Sequence, residues 1–177
     1  MKRTYLRTLG AIALLTIVLG VSMTSFSAGP PPASLSVYVT ATRITSSEAF
    51  DTVLYVAVPR QQPINPTFNL YQSFVVQSID FTETHPDGSV DGGNLITCSL
   101  SGPAYPSRNA VLTCSGSFTS RVNGLVYPGS TTGIYFVGFG GFGPGDVGRW
   151  TYTYTVTGLY YGAVTTLTSS FTSQVTP

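Results

Sequence analysis

The feature that most constrains the fold of this chain is a strict alternation of apolar and polar side chains. Residues 150–157 read Trp-Thr-Tyr-Thr-Tyr-Thr-Val-Thr, which places the large side chains on one face of an extended strand and the threonines on the other. Residues 35–42 alternate in the same way. No segment after residue 33 repeats apolar residues at helical spacing over three turns. We therefore expect strands that bury one face.

Further segments have the composition of strands, separated by segments rich in proline and glycine. Residues 53–58 are apolar on both faces and stop at Pro59, which is typical of a central strand covered on each side. About eight strands without a helix predict a single antiparallel β-sandwich of jelly-roll or Greek-key type. The other strand candidates are 67–80, 95–100, 110–121, 133–138 and 159–176, the last with a kink expected at Gly162.

The N-terminus has the three regions of a secretory signal peptide. Lys2, Arg3 and Arg7 precede an apolar run over residues 9–23, and small residues follow at 25–28. Export to the cell surface or the extracellular medium is therefore expected. Two alternatives stay open: an uncleaved anchor helix, and prepilin-type processing that would keep the apolar run as the helix of a type IV-like pilin.

Three segments are expected on this basis. They are a signal peptide at 1–28, a proline-rich spacer with a first strand at 29–42, and a β-sandwich domain at 43–177.

Charged side chains are scarce, at 8% of the residues, where an ordinary soluble domain has about 25%. The single lysine lies in the signal peptide, so residues 29–177 contain five arginines against seven acidic residues. Without a basic patch we expect no nucleic-acid partner. We also expect no membrane association after signal cleavage, and a surface covered by serine and threonine hydroxyls.

The two cysteines, Cys98 and Cys114, are expected to form a disulfide. Each lies on the apolar face of its own strand candidate, and disulfides persist in exported proteins. The residues between the two strands include two prolines and a glycine, which favours a hairpin with a long loop.

No pattern typical of catalysis is present, and we expect neither an enzyme nor a cofactor. His85 is the single histidine, beside Pro86 in what the sequence predicts to be an exposed loop, and no G-x-S-x-G motif occurs. The glycine-rich segment 138–148 matches G-x-G-x-x-G, but proline follows it where a dinucleotide site needs a helix. Its Phe139 and Phe142 are expected either in the core or on a contact surface.

Four of the seven acidic residues lie within twelve positions: Asp80, Glu83, Asp87 and Asp91. Oxygen ligands converging from a loop would suit Ca²⁺, but the spacing is not that of an EF-hand, and turns select aspartate anyway. A plain hairpin loop is the alternative interpretation. The sequence shows no recognisable set of zinc ligands.

The first strand carries Leu35, Val37, Val39 and Ala41 on one face, directly after the Gly-Pro-Pro-Pro spacer. It either pairs within its own sandwich or adds to the sheet of a neighbouring subunit. A head-to-tail contact of the second kind does not close and yields a filament.

In this layout the chain resembles the subunits of secreted archaeal surface filaments, such as the threads of Sulfolobales and the bundling pili of Pyrobaculum, which are similar in fold to the biofilm matrix protein TasA. The shared features are a signal peptide, a strand directly after it, a domain rich in tyrosine and threonine, and one cysteine pair. The resemblance implies a non-enzymatic subunit assembled by donor-strand complementation, for adhesion or biofilm formation. Its partners would be further copies of the chain, and neighbouring filaments or cell-surface glycans.

The main alternative is a secreted carbohydrate-binding or adhesion domain. Its contact surface would be formed by aromatic residues such as Tyr152, or by the glycine-rich segment 138–148.

Overall fold

The computed structural model describes residues 30–60, 69–101, 111–116 and 124–177. The signal peptide expected at 1–28 lies outside these residues. Within the described ranges no helix is long and apolar enough to cross a membrane.

Strands make up most of the described chain, with one helical turn, α1 (Asn69–Gln72), and one 3-10 turn (Pro144–Asp146). The strands, in chain order, are β1 (Ser34–Val39), β2 (Arg43–Thr45), β3 (Ala49–Ala57), β4 (Phe74–Thr84), β5 (Val90–Ser101), β6 (Val111–Gly116), β7 (Leu125–Val126), β8 (Thr131–Gly140), β9 (Gly148–Tyr160) and β10 (Ala163–Thr176).

These strands form two sheets. The smaller has the order β1-β3-β8, and the larger has the order β2-β10-β9-β4-β5-β6, with β7 beside the first residues of β4. Apolar side chains from both sheets meet in one buried core, so the predicted all-β sandwich is confirmed. Its strands are not all antiparallel, because β2 pairs parallel to the end of β10.

The alternating segment forms β9, at the centre of the larger sheet between β10 and β4. Trp150, Tyr152, Tyr154 and Val156 are buried, as the alternation predicts. The ring of Tyr152 stacks on Phe171 of β10 at 5.0 Å and meets Phe50 of the smaller sheet edge-on at 5.3 Å. Aromatic contacts of this kind join the two layers.

The outer face of the larger sheet is covered by hydroxyl groups. The four outward threonines of β9 each lie opposite a serine or threonine of β10. On the other side, three of the four face a serine or threonine of β4, and Thr155 faces Asp80. We call this surface the hydroxyl face, formed by Ser78, Thr82, Thr84, Thr151, Thr153, Thr155, Thr157, Thr166, Thr168, Ser170 and Thr172.

The kink expected at Gly162 is instead a hairpin turn. Tyr160 and Ala163 are direct partners, and the two residues between them, Tyr161 and Gly162, have φ of 52° and 75°. Two positive φ angles define a type I′ turn, whose twist matches that of the flanking strands. The single strand predicted at 159–176 is therefore the end of β9, a turn and β10.

Two other strand predictions differ in detail. The strand expected over 67–80 begins only at Phe74, because residues 69–72 form α1 and Tyr71 packs against the ring of Tyr161 in the hairpin turn. Strand β3 is central in its sheet, as predicted, but only one of its faces is covered by a second layer. Tyr55 on the other face is 39% exposed.

The expected disulfide is present. Cys98 and Cys114 are direct partners on the antiparallel strands β5 and β6, with an S–S distance of 2.06 Å. The segment between the two strands, residues 102–110, lies outside the described residues.

A glycine in β9 is expected to be essential for packing against β4. A Cβ at Gly158 would lie 2.5 Å from both the Phe74 ring and the Val75 carbonyl oxygen. We expect Gly158→Ala to lower the free energy of unfolding by about 1–3 kcal/mol, measured in urea. Gly93→Ala is the matched control, because a Cβ there meets nothing within 4 Å. Equal losses in the two variants would contradict this.

The buried tyrosines predict a loss of stability in alkali. Burial raises the pKa of Tyr154 to about 12, and burial together with the Glu83 charge raises the pKa of Tyr152 still further. Because unfolded tyrosine ionises near pH 10, their contribution is complete below pH 10 and declines as the pH rises towards 12. The expected slope is about 1.4 kcal/mol per pH unit for each tyrosine. Urea unfolding at several pH values should show a shallower slope for Tyr154→Phe, and an unchanged slope would refute the assignment.

Candidate functional site

The strand expected to join subunits, β1, lies at the edge of the smaller sheet. It pairs antiparallel with β3, from Ser34 opposite Ala57 to Val39 opposite Thr52. In this single chain, β1 therefore pairs with a strand of its own subunit.

The inward face of β1 closes one side of the core. Leu35, Val37 and Ala41 pack against the buried cluster, and Val39 is half-buried. Leu35 lies opposite Val56 and Val37 lies opposite Leu54, and both of these β3 residues are fully buried. A subunit whose edge position was not filled by a β1 strand would expose apolar side chains to water.

Short connections hold β1 at its two ends. Before it, the Tyr160 hydroxyl donates a hydrogen bond to the Pro31 carbonyl at 2.7 Å. After it, residues 40–42 carry the chain across to the larger sheet, where β2 begins. Thr40 is hydrogen-bonded to the backbone of Asp51: its amide donates to the Asp51 carbonyl at 3.0 Å, and its Oγ1 accepts from the Asp51 amide at 2.9 Å.

A pocket of about 320 Å³ lies where β8 ends and the chain continues into the glycine-rich segment. Its volume is at the lower limit of typical small-molecule sites. Four aromatic rings and two carboxylates contribute to the wall, which is formed by Phe81, Glu83, Gly140, Gly141, Phe142, Asp146, Trp150 and Tyr152.

The glycine-rich segment is folded around Asp146. The carboxylate of Asp146 accepts a hydrogen bond from the Gly143 amide at 2.7 Å, and its carbonyl accepts one from the Trp150 indole at 2.8 Å. Phe142 is half-buried, with its ring 5.3 Å from that of Trp150. Phe142 therefore combines the two roles considered from the sequence, since it packs on a core residue and also lines the pocket. The side chain of Phe139 lies outside the described part.

The alternative prediction that Tyr152 contributes to an exposed contact surface was wrong. This residue is 1% exposed, so it reaches only the inner wall of the pocket and does not offer a free ring to a partner. Three exposed tyrosines, Tyr38, Tyr55 and Tyr135, are on the outer face of the smaller sheet. Tyr38 and Tyr135 lie on either side of Val53, and the Tyr135 hydroxyl donates to the Asp51 carboxylate at 2.9 Å.

The expectation that His85 is exposed was wrong. Its side chain is only 22% exposed, and its ring lies 4.2 Å from that of Trp150. The neighbouring Pro86 packs on Gly148 so closely that a Cβ at position 148 would lie 2.6 Å from it. The β4–β5 hairpin is thereby held against the start of β9.

The four acidic residues that cluster in the sequence fall into separate environments. Asp80 accepts from the Asn94 side chain at 2.8 Å, and Asp87 accepts from the Ser89 amide in the hairpin turn at 2.8 Å. Glu83 and Asp91 instead lie opposite each other, beside His85. In the sequence, the i, i+2 spacing of Glu83 and His85 indicates that these two side chains lie close together, because it places both on one face of a strand.

No family model matches the sequence, and no curated protein is similar to it. Among solved structures, the chain is similar to the sporulation control protein Spo0M from Bacillus subtilis, with a TM-score of 0.45 and 11% identity over 83% of this chain and 50% of that one. It is also similar to a DUF4785 family protein from Legionella pneumophila, with a TM-score of 0.35 and 13% identity over 80% of this chain and 28% of that one. The chain thus spans half the length of Spo0M and less of the Legionella protein.

Proposed function

We propose that this protein is a non-enzymatic subunit of an extracellular filament, assembled when β1 of one copy fills the edge position beside β3 of the next. The observation that carries the proposal is the position of β1. It is the first strand of the described chain, it lies at a sheet edge, and its apolar face covers fully buried residues of β3. Export by a signal peptide and the resemblance to donor-strand filaments agree with this role.

Exchange of β1 between copies would preserve nearly all of its contacts. The pairing of Leu35 with Val56 and of Val37 with Leu54 is the same whether β1 comes from the same chain or from another. Only the path of residues 40–42 and the hydrogen bonds of Thr40 to Asp51 must change. Monomer and polymer therefore differ by a few contacts and by protein concentration, the condition under which strand swapping occurs at low cost.

The composition of β1 supports association between chains. Its sequence, SLSVYV, contains no charge and no proline, which are the usual devices against unwanted pairing at sheet edges. The scarcity of charge in the rest of the chain also leaves little repulsion between copies.

Pairs of variants that each gain one cysteine, in addition to the Cys98–Cys114 disulfide, test the exchange directly. Ser36 and Tyr55 are direct partners on β1 and β3, and both are exposed. We expect Ser36→Cys and Tyr55→Cys chains, co-expressed with tags of different size, to form a covalent heterodimer on a non-reducing gel. Ser36→Cys with Tyr135→Cys is the matched control, because position 135 is on β8, one strand further from β1.

A single chain that carries both Ser36→Cys and Tyr55→Cys distinguishes exchange of β1 between copies from pairing of β1 within its own chain. Exchange predicts a covalent ladder that disappears on reduction, together with filaments in electron micrographs that are lost when residues 29–42 are deleted. Cross-linked monomers alone, with no heterodimer and no filament at high concentration, would refute the filament proposal.

The pocket favours a second function, the binding of a cell-surface carbohydrate. Aromatic rings stack on sugar faces, and the carboxylates of Glu83 and Asp146 would accept hydrogen bonds from sugar hydroxyls. On a glycan array we expect Phe142→Ala to lose binding and Val147→Ala, an exposed position in the same segment, to retain it. The absence of saturable binding by the unaltered protein would exclude this function.

A further inference from the structure

Three potential metal ligands converge at the end of the β4–β5 hairpin. Glu83 and Asp91 are direct cross-strand partners, and His85 follows Glu83 by two residues at the point where the turn begins. One ligand atom from each of the three lies within 4.8 Å of the others.

A β-bulge creates this meeting. The register of β4 with β5 shifts between Ile79 and Asp80, so that Leu95 has no direct partner on β4. Without that shift, Glu83 would lie opposite Gly92 instead of Asp91. Bulges redirect side chains, and they are common beside functional sites.

A positive charge beside the two carboxylates would offset their mutual repulsion. Like charges directly opposite each other on neighbouring strands are destabilising. Among the described residues, the ion pairs of Glu83 and Asp91 are both with His85, and neither carboxylate contacts an arginine. The groups that can offset this repulsion are therefore His85 and a bound cation.

The geometry favours a bound cation. The His85 Nε2 atom lies 3.6 Å from the Glu83 carboxylate and 3.3 Å from the Asp91 carboxylate, and it is buried without a hydrogen bond to any described residue. These separations are longer than ordinary N–H···O hydrogen bonds. Two ligands about 2.1 Å from one tetrahedral ion, however, lie about 3.4 Å apart.

We propose that Glu83, His85 and Asp91 bind a divalent transition-metal ion of the Zn²⁺ type. One imidazole nitrogen and two carboxylate oxygens suit Zn²⁺ or Co²⁺ better than Ca²⁺, which takes six to eight oxygen ligands. Three protein ligands leave a fourth position for water or for a ligand oxygen. Glu83 also lines the 320 Å³ pocket, so the ion lies at its border.

The fluorescence of Trp150 can report metal binding, because this residue lies beside His85. It is the one tryptophan of the chain, and its ring lies 4.2 Å from that of His85. Addition of paramagnetic Co²⁺ to the purified protein should quench its emission saturably at one ion per chain, and excess Zn²⁺ should restore it. We expect Glu83→Gln and Asp91→Asn each to weaken binding at least tenfold, because even the loss of an outer-shell partner costs 10–100-fold.

The matched control is Asp87→Asn, which removes a charge two residues from His85 but no ligand and should leave Co²⁺ affinity unchanged. Thermal melts without metal verify that each variant is folded, and Zn²⁺ should raise the melting temperature of the unaltered protein but not of Asp91→Asn. The proposal is refuted if quenching is not saturable, or if Asp87→Asn weakens binding as much as Asp91→Asn. It is also refuted if Asp91→Asn changes only the stability in mild acid, the behaviour of an ion-paired cluster without a metal.

Discussion

Burial of one face of β9 is the interaction on which the rest of the structure depends. The side chains of Tyr152 and Tyr154 lie between the two sheets, in contact with rings from β10 and from the smaller sheet. Strands β4 and β10 are hydrogen-bonded along its two edges. At one end of β9 lies the tight turn that begins β10, and at the other lies Trp150, which anchors both the glycine-rich segment and the β4–β5 hairpin.

The position of β9 also connects the two proposals to the core. Tyr160, near one end of the strand, donates a hydrogen bond to the Pro31 carbonyl and so holds the segment before β1 in place. Trp150, near the opposite end, forms part of the pocket wall and packs on His85. β1 and the cluster of Glu83, His85 and Asp91 are therefore anchored by opposite ends of one strand.

Alternation along single strands made much of the fold predictable. It identified β1 and β9, and the cysteines on apolar faces indicated the disulfide between β5 and β6. Alternation could not predict the features that depend on the register between neighbouring strands. The partnership of Glu83 with Asp91 results from one unpaired residue in β5, and no pattern within either strand records that shift. The burial of His85 likewise depends on the approach of Pro86 to Gly148, and these two residues are far apart in the sequence.

The hydroxyl face has a consequence for the conditions in which the protein can remain dissolved. Serine and threonine hydroxyls neither titrate nor attract counterions, so the hydration of a surface made of them depends little on acidity or on dissolved salt. A surface kept in solution by charge loses repulsion in brine and near its isoelectric point. Because the outward residues of β9 from 151 to 157 are all threonine, and Asp80 is the one charged group among their direct partners on β4 and β10, acidity and salt change the hydration of this surface little.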